Sequence, residues 1–315
     1  MAKKQSTKRK NNANVATKPS DGKNSTTSTN MSKSSGVTSS SFPSHLLQDR
    51  KKSLLVHPIL HEEREEAAQA KIRKSNSFSS DVATIHTLYP NAVFVAKNVL
   101  SKLECNAWIE HAESAAGFER VSHPATRIIA HRDCGRIQRD DWMMSERLYQ
   151  RLKPIIDYVA SNTSISNYSD INYEPINCNG NLRLYRYDKG MSFGRHYDGS
   201  STIDQYSNAQ TEITVLIYLS SCEGGATRFY PPHSCVGSAS TGKKKKKKKN
   251  DSAASTKVGM SEEKGGIAYI PEAGSVLFHV HGDRCLLHEA DPVISGIKYV
   301  LRTDIVYGTD SITKK

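Results

Sequence analysis

The stretch NLRLYRYDKGMSFGRHYD, residues 181–198, decides the fold of this chain. Its first half alternates: Leu182 and Leu184 share one face, while Arg183, Tyr185 and Tyr187 share the other. Such alternation predicts a strand with one face packed and the other lining a cavity. The chain is therefore expected to build a sheet around a central cavity.

The same stretch ends in a His-x-Asp pair, His196 and Asp198. Side chains of an extended strand alternate with a period of two, so the imidazole and the carboxylate project from the same face. One imidazole nitrogen and one carboxylate oxygen aimed at one point supply two of the three protein ligands of an open metal site. The pair predicts a third ligand elsewhere in the chain.

The third ligand is expected in the segment GSVLFHVHGDRCLLHEADPVISGIKYVLRTDIVY, residues 274–307. His288 follows an apolar strand, and Lys298 lies ten residues later, after a Ser-Gly turn. That spacing lets one strand finish and places the ammonium on the neighbouring antiparallel strand, facing inward. Two histidines and one carboxylate on one side of a metal form the facial triad typical of non-haem Fe(II) oxygenases. A cation buried behind that metal needs an anion to pair with.

These features together resemble a known family. The His196-x-Asp198 pair, His288, Lys298 and the segment ITVLIYLSSCEGGATRFY, residues 213–230, resemble the 2-oxoglutarate and Fe(II)-dependent dioxygenases of the prolyl 4-hydroxylase α-subunit type. The resemblance covers about residues 91–307, with one insertion. It implies that His196, Asp198 and His288 bind Fe(II), and that 2-oxoglutarate and O2 are consumed with release of succinate and CO2.

The periodicity predicts a mostly β fold of the α+β class with two supporting helices. Ser101 and Glu104 are spaced as a capping box at the start of the first helix, which extends from about Lys102. The second helix is expected over about residues 141–160, with Pro154 as a kink or an early end. Short strands are expected at residues 92–96, 181–187, 213–219, 267–270, 276–279 and 299–307. This set suits a double-stranded β-helix, a jelly-roll barrel whose mouth can hold a metal and a small ligand.

The resemblance also implies residues that bind 2-oxoglutarate. Lys298 is expected to pair with its C5 carboxylate, and Tyr187, nine residues before His196, matches the tyrosine that contacts the cosubstrate in prolyl 4-hydroxylases. Thr227 matches a family position near the same carboxylate. Arg302, four residues after Lys298 on the same strand face, is the alternative anchor or a substrate-facing group. Ascorbate is expected as the reductant of oxidised iron.

Four further residues near these motifs have open roles. His279 and His281 share a strand face but have no carboxylate partner in the sequence, so they are interpreted as structural or as supporting the ligands. Arg186 and Arg195 flank the predicted site and are candidates for substrate contact.

Composition divides the chain into one domain and its extensions. The first 80 residues hold 15 Lys and Arg against 6 Asp and Glu and few aromatic residues, which predicts a largely disordered basic extension. Within it, Pro58 to Lys74 is rich in helix-forming residues and is a candidate short helix. The dioxygenase domain is expected at residues 91–310, with a lysine-rich disordered insert at about 233–265.

The positive charge lies in the N-terminal extension and in the lysine-rich insert, and not in the folded body of the domain. Of the formal net charge of +12, residues 1–80 supply +9 and the seven lysines Lys243 to Lys249 supply +7, which leaves about −4 for the rest. Nucleic-acid binding through this lysine run is the rival hypothesis. It is not favoured, because no aromatic residues interleave the lysines to stack on bases. Lys8 to Lys10 is a candidate nuclear localisation cluster.

Six cysteines with no C-x-x-C spacing are expected to be unpaired thiols in a reducing compartment. No secretory signal and no apolar run of membrane-spanning length is expected, so a soluble intracellular protein of cytoplasm or nucleus is favoured.

The leading substrate by resemblance is a peptidyl proline, with a protein or peptide as partner. Other protein side chains, small molecules and nucleic acid stay open as substrates. A non-catalytic metal-binding module, or one tethered to nucleic acid, is the alternative from another functional class. Fold alone does not decide among them.

Overall fold

The computed structural model describes residues 41–48, 54–58, 82–114, 117–165, 173–206, 208–232 and 265–309. The chain divides into two units, Met1–Thr38 and Ser39–Lys315, and the first lies wholly outside the described residues. The predicted localisation cluster, lysine-rich insert and all but the first residue of the candidate helix after Pro58 also lie outside them.

The described part is built from short strands and two helices. The helices are α1 (Lys102–Ser114) and α2 (Trp142–Ser161). The strands of the first half are β1 (Leu55–Pro58), β2 (Val82–Tyr89), β3 (Val93–Lys97), β4 (Glu119–His123), β5 (Arg132–Asp140), β6 (Tyr173–Cys178), β7 (Asn181–Tyr187) and β8 (Phe193–His196). Those of the second half are β9 (Gln210–Tyr218), β10 (Glu223–Gly224), β11 (Thr227–Tyr230), β12 (Ile267–Tyr269), β13 (Val276–Val280), β14 (Leu287–Ala290), β15 (Val293–Ser295) and β16 (Lys298–Thr309).

The main sheet bends back on itself into a barrel. Its strand order is β1-β2-β3-β13-β9-β16-β7-β5-β8-β14-β11-β12, and all neighbours are antiparallel except β1 and β2. Strand β5 connects the strands that precede it in this order with those that follow it. It pairs with β7 over residues 135–140 and with β8 through Arg132 and Phe193. The predicted mostly β fold with a double-stranded β-helix barrel is confirmed.

The core lies on both faces of the part of the sheet that contains β13 and β9. Strand β13 is buried at every position and β9 at nearly every position, as expected for strands covered on both faces. Helix α2 covers the outer face with Leu148, Leu152, Ile155 and Ile156, the four residues predicted from helical spacing. The helix continues through Pro154 to Ser161, so Pro154 does not end it early.

The predicted capping box begins α1. The Glu104 backbone N–H donates to Ser101 Oγ at 3.2 Å, and the Ser101 N–H donates to Glu104 Oε2 at 2.8 Å. Glu104 is also buried against Arg151 of α2, whose Nη2 lies 2.7 Å from Glu104 Oε1. The capping residue therefore also joins the two helices.

The described residues ahead of the expected domain start at residue 91 belong to the same fold as that domain. Residues 41–48 pack on the core, with Phe42 and Leu46 buried and the Phe42 ring 5.1 Å from that of Trp108. Strands β1 and β2 extend the sheet ahead of β3. The composition of this region is polar on average, but the region also contains short apolar clusters. Those clusters are long enough to pack on an existing core.

The five cysteines in the described ranges, Cys105, Cys134, Cys178, Cys222 and Cys285, are free thiols. Among the described residues, neither helix has the length and apolar character needed to cross a membrane.

Candidate metal centre

The structure brings the three predicted ligands together. His196 ends β8, Asp198 follows two residues later, and His288 lies on β14 directly opposite His196 in the strand pairing. Residues opposite each other in an antiparallel pair share one face. One donor atom from each of the three lies within 4.8 Å of the others. His196 Nε2 lies 3.8 Å from Asp198 Oδ1, and His288 Nε2 lies 3.8 Å from Oδ2.

Backbone carbonyls orient both imidazoles. His196 Nδ1 lies 2.8 Å from the carbonyl oxygen of Gly194, and His288 Nδ1 lies 2.9 Å from that of Leu286. A carbonyl only accepts, so each Nδ1 carries the proton and each Nε2 keeps a lone pair toward Asp198. Burial lowers the pKa of both histidines, that of His196 to about 3 with His288 as the second cause. Both are neutral near pH 7, as metal ligands must be.

Asp198 supplies the negative charge of the site. Burial alone would raise its pKa, but Arg302 and then the neighbouring histidines outweigh burial, so the pKa lies well below its usual range. The carboxylate is therefore ionised. Two neutral imidazoles and one carboxylate match the donor set of a facial Fe(II) triad.

A second donor group, His279, Cys285 and His288, overlaps the first. It fits a metal less well, because Cys285 Sγ faces His288 Nδ1, at 4.0 Å, and that nitrogen already donates to Leu286. Burial also raises the pKa of the Cys285 thiol to about 11, which keeps it protonated. His279 itself is buried 3.5 Å from Asp198 Oδ2, and neither of its ring nitrogens has a hydrogen-bond partner among the described residues.

Lys298, Tyr187 and Thr227 line the same cavity as the three ligands. Lys298 lies opposite Tyr187 in the β7–β16 pairing, with its ammonium 5.4 Å from the centre of the Tyr187 ring. It is 2% exposed and donates to the carbonyl oxygen of Gly225 at 2.7 Å. Burial lowers its pKa to about 8. Among the described residues no carboxylate lies within ion-pair distance of this ammonium, although Asp198 lines the same cavity, so this buried cation has no ion-pair partner.

Arg302 lines the cavity too, but its guanidinium is already paired. Its Nη2 lies 3.1 Å from Asp198 Oδ2 and 3.3 Å from Asp304 Oδ1. Arg302 therefore contacts a predicted metal ligand, which the spacing argument for a second 2-oxoglutarate anchor did not foresee.

The other sequence candidates lie outside the cavity lining or behind it. Arg186 pairs with Glu113 and Asp188, and Arg195 lies over the ring of Tyr230, 4.0 Å from its centre. His281 lies behind the site, with Nε2 2.7 Å from the hydroxyl oxygen of Thr214.

Sequence reasoning missed Thr214, Phe193 and Phe229. The Phe193 ring stacks on His196 at 3.8 Å, and Phe229 stacks on His288 at 5.5 Å, so each imidazole has an aromatic neighbour. Thr214 Oγ1 donates to Asp198 Oδ2 at 2.8 Å. A hydroxyl in the otherwise apolar run of β9 was the available signal for Thr214.

The geometry can be set beside known proteins. A protein-family model described as the 2OG-Fe(II) oxygenase superfamily matches residues 182–303. No curated protein matches the chain.

Among solved structures, the chain is similar to a viral collagen prolyl hydroxylase from Paramecium Bursaria Chlorella virus-1, at 18% identity over 69% of this chain and 97% of that one, with a TM-score of 0.41. It is also similar to a prolyl hydroxylase from Trichoplax adhaerens, solved with a hypoxia inducible factor peptide fragment, at 16% identity over 78% and 94% of the two chains and a TM-score of 0.40. A prolyl-4-hydroxylase from Pseudomonas putida gives 14% identity over 68% and 92%, with a TM-score of 0.38.

The family match covers less than half of the chain. It spans the segment that holds His196, Asp198, His288 and Lys298. Residues 182–303 of this chain, which include these four residues, are therefore similar to the 2OG-Fe(II) oxygenase superfamily.

Proposed function

We propose that this chain is a 2-oxoglutarate-dependent hydroxylase in which His196, Asp198 and His288 hold Fe(II). The observation that carries the proposal is the convergence of two neutral imidazole nitrogens and one ionised carboxylate within 4.8 Å. Bound Fe(II), with 2-oxoglutarate and O2, supplies an oxidative decarboxylation that yields succinate, CO2 and a hydroxylated substrate. The protein contributes the position of each group and the electrostatics around it.

Lys298 is proposed to bind the C5 carboxylate of 2-oxoglutarate. A buried ammonium without an anion is costly, and a dianionic cosubstrate in the same cavity supplies the missing charge. Tyr187 and Thr227 surround the ammonium side of the cavity. Burial raises the pKa of Tyr187, so its phenol stays protonated and able to donate a hydrogen bond. Thr227 Oγ1 shares a 2.7 Å hydrogen bond with the hydroxyl of Tyr218, which fixes its position.

The proposed substrate is a peptidyl proline, so the partner is a protein or peptide. This choice rests on the resemblance of the ligand and lysine spacing to prolyl 4-hydroxylases. Ascorbate is proposed as the reductant that returns oxidised iron to Fe(II).

The test measures succinate released by the purified full chain with Fe(II), 2-oxoglutarate and ascorbate, with and without a proline-rich peptide. His196→Ala is the control, since it removes one ligand of the proposed site. Turnover that needs His196 and increases with peptide, together with gain of one oxygen atom on proline by mass spectrometry, supports the full proposal. Turnover that the peptide does not increase would support the oxygenase activity and contradict peptidyl proline as the substrate.

Absence of turnover, together with failure of 2-oxoglutarate to bind the Fe(II)-loaded protein, contradicts the enzyme. That outcome would favour a non-catalytic metal-binding module.

A further inference from the structure

We propose that Arg302 and Thr214 form a clamp on one oxygen of Asp198, so that the carboxylate offers only its other oxygen to the metal. Arg302 is then a positioning residue of the metal centre and not an anchor for 2-oxoglutarate. This inference rests on the proposed function, because it takes Asp198 to be a metal ligand.

Hydrogen bonds distinguish the two carboxylate oxygens. Oδ2 accepts from Thr214 Oγ1 at 2.8 Å and faces Arg302 Nη2 at 3.1 Å. Oδ1 receives no hydrogen bond from the described residues and lies 3.8 Å from His196 Nε2. Both oxygens face the imidazoles, since Oδ2 lies 3.8 Å from His288 Nε2. Thr214 donates to Oδ2 and the Arg302 guanidinium lies beside it, so Oδ1, which receives no hydrogen bond from the described residues, is the oxygen left for a metal.

Thr214 and Arg302 lie on neighbouring strands of the sheet, β9 and β16. Thr214 on β9 lies directly opposite Asp304 on β16 and, on its other side, directly opposite His279 on β13. Arg302 lies two residues before Asp304 on the same strand face, and its Nη2 is 3.3 Å from both Asp304 Oδ1 and Thr214 Oγ1. Thr214 Oγ1 donates to Asp198 Oδ2 and accepts from Arg302 Nη2, and it lies 2.7 Å from His281 Nε2. Strand register alone thus places the clamp.

Charge balance supports the same assignment. Asp198 and Asp304 are two carboxylates with side chains 11% and 6% exposed, and in the described part of the chain Arg302 is the guanidinium that contacts both of them. One cation cannot neutralise both, and a divalent metal on Asp198 supplies the remainder. Arg302 holds Asp198 in place before a metal binds, because an unpaired buried carboxylate is costly.

Lys298 and Arg302 therefore serve different ends of the cavity. Arg302 lies four positions after Lys298 on β16, which corresponds to about 13 Å between their Cα atoms in a strand. Lys298 has no carboxylate partner among the described residues, whereas Arg302 has two. The cation without an anion is the one free to bind a cosubstrate.

The test compares metal binding with cosubstrate binding in the full chain. Co²⁺ affinity is measured by titration calorimetry, the Co²⁺ coordination by visible absorption, and 2-oxoglutarate affinity on the Co²⁺-saturated protein without O2. The variants are Arg302→Gln, Thr214→Val and Thr214→Ser. Arg183→Gln is the charge-matched control, because Arg183 lies opposite Arg302 in the β7–β16 pairing but does not line the cavity.

Arg302→Gln and Thr214→Val are expected to weaken Co²⁺ binding by about 10- to 100-fold, the usual effect of losing a group that orients a ligand. Both are expected to change the Co²⁺ spectrum, while 2-oxoglutarate affinity of the saturated protein stays within about threefold of the parent. Thr214→Ser, which keeps the hydroxyl, and Arg183→Gln are expected to match the parent.

Unchanged Co²⁺ affinity and spectrum in Thr214→Val would overturn the clamp even if Arg302→Gln fails to fold. Loss of 2-oxoglutarate affinity in Arg302→Gln with normal Co²⁺ binding would make Arg302 a cosubstrate anchor. A parent chain that binds neither Co²⁺ nor 2-oxoglutarate would instead contradict the proposed function itself.

Discussion

At the residue scale, Lys298 gives the clearest link between burial and chemistry. Its ammonium is 2% exposed, bonds to one carbonyl oxygen and faces the ring of Tyr187. A carbonyl and a ring offset only part of the free energy of desolvating an ammonium. The remaining cost is recovered when an anion enters the cavity, so Lys298 favours anionic ligands.

Lys298→Gln is expected to weaken 2-oxoglutarate binding by about 10- to 100-fold, since a charge-assisted hydrogen bond contributes about 1.5–3 kcal/mol. Co²⁺ affinity is expected to stay the same, because Lys298 contacts none of the three ligands. Calorimetry of the Co²⁺-loaded protein measures both. Lys189→Gln, at an exposed position, controls for the lost charge. Equal 2-oxoglutarate affinity in the two variants would remove Lys298 from the site.

The affinity for 2-oxoglutarate is also expected to depend on pH through Lys298. Its pKa is about 8 in the free protein because burial disfavours the charged form, and a bound carboxylate raises it again. Below pH 8 the ammonium is ready for the ligand. Above it, binding must take up a proton, so Kd increases by about tenfold per pH unit until the pKa of the complex is reached.

Calorimetry in two buffers of different ionisation enthalpy measures this proton uptake. Lys298→Gln is expected to remove it. Proton uptake that persists in that variant would assign the pH dependence to another group.

At the element scale, Glu104 joins the two helices that support the barrel. It completes the capping box of α1 and pairs with Arg151 of α2, both side chains being buried. The Arg151 guanidinium donates to both carboxylate oxygens of Glu104, at 2.7 and 2.8 Å. This buried, charge-assisted pair therefore links the two helices directly.

Arg151→Met is expected to lower the free energy of unfolding by about 3–5 kcal/mol, because it removes the guanidinium that pairs with the buried Glu104 carboxylate. Urea denaturation measures the loss. Lys153→Met is the matched control two residues later, where the Lys153–Asp157 pair is about half exposed, and it is expected to cost at most about 0.5 kcal/mol. Equal losses in the two variants would show that the buried pair adds nothing beyond a surface pair.

At the scale of the whole molecule, residues 41–48 pack on the core although they precede the predicted domain in sequence. Phe42 packs on Trp108, and the guanidinium of Arg139 lies 4.7 Å from the centre of the Phe42 ring. The Phe42 N–H donates to Asp141, the residue that also caps α2. This segment therefore contacts both helices and the sheet at one point.

Phe42→Ala is expected to lower the free energy of unfolding by about 3–5 kcal/mol, the usual cost of emptying a buried phenylalanine site. Chemical denaturation measures it. Leu103→Ala is the control, because Leu103 is 70% exposed on α1, and it is expected to change stability by at most about 0.5 kcal/mol. A loss in Phe42→Ala no larger than in the control would place residues 41–48 outside the cooperative core.

The sequence by itself determined the barrel class, the three candidate ligands and Lys298. Each depends on local periodicity: His196 and Asp198 two residues apart, and Lys298 one strand and one turn after His288. Such spacings decide which face a side chain occupies without knowledge of distant contacts. The capping box of α1 was predictable for the same reason.

Only the tertiary structure decided which groups pair. Spacing left Arg302 as the alternative cosubstrate anchor after Lys298, but strand register places it against Asp198, 104 residues earlier in the chain. Phe42 meets Asp141 across 99 residues, so no local window could assign it to the core. A side chain's face follows from its own strand, whereas its partner follows from how distant strands align, and that alignment is set by packing of the whole barrel.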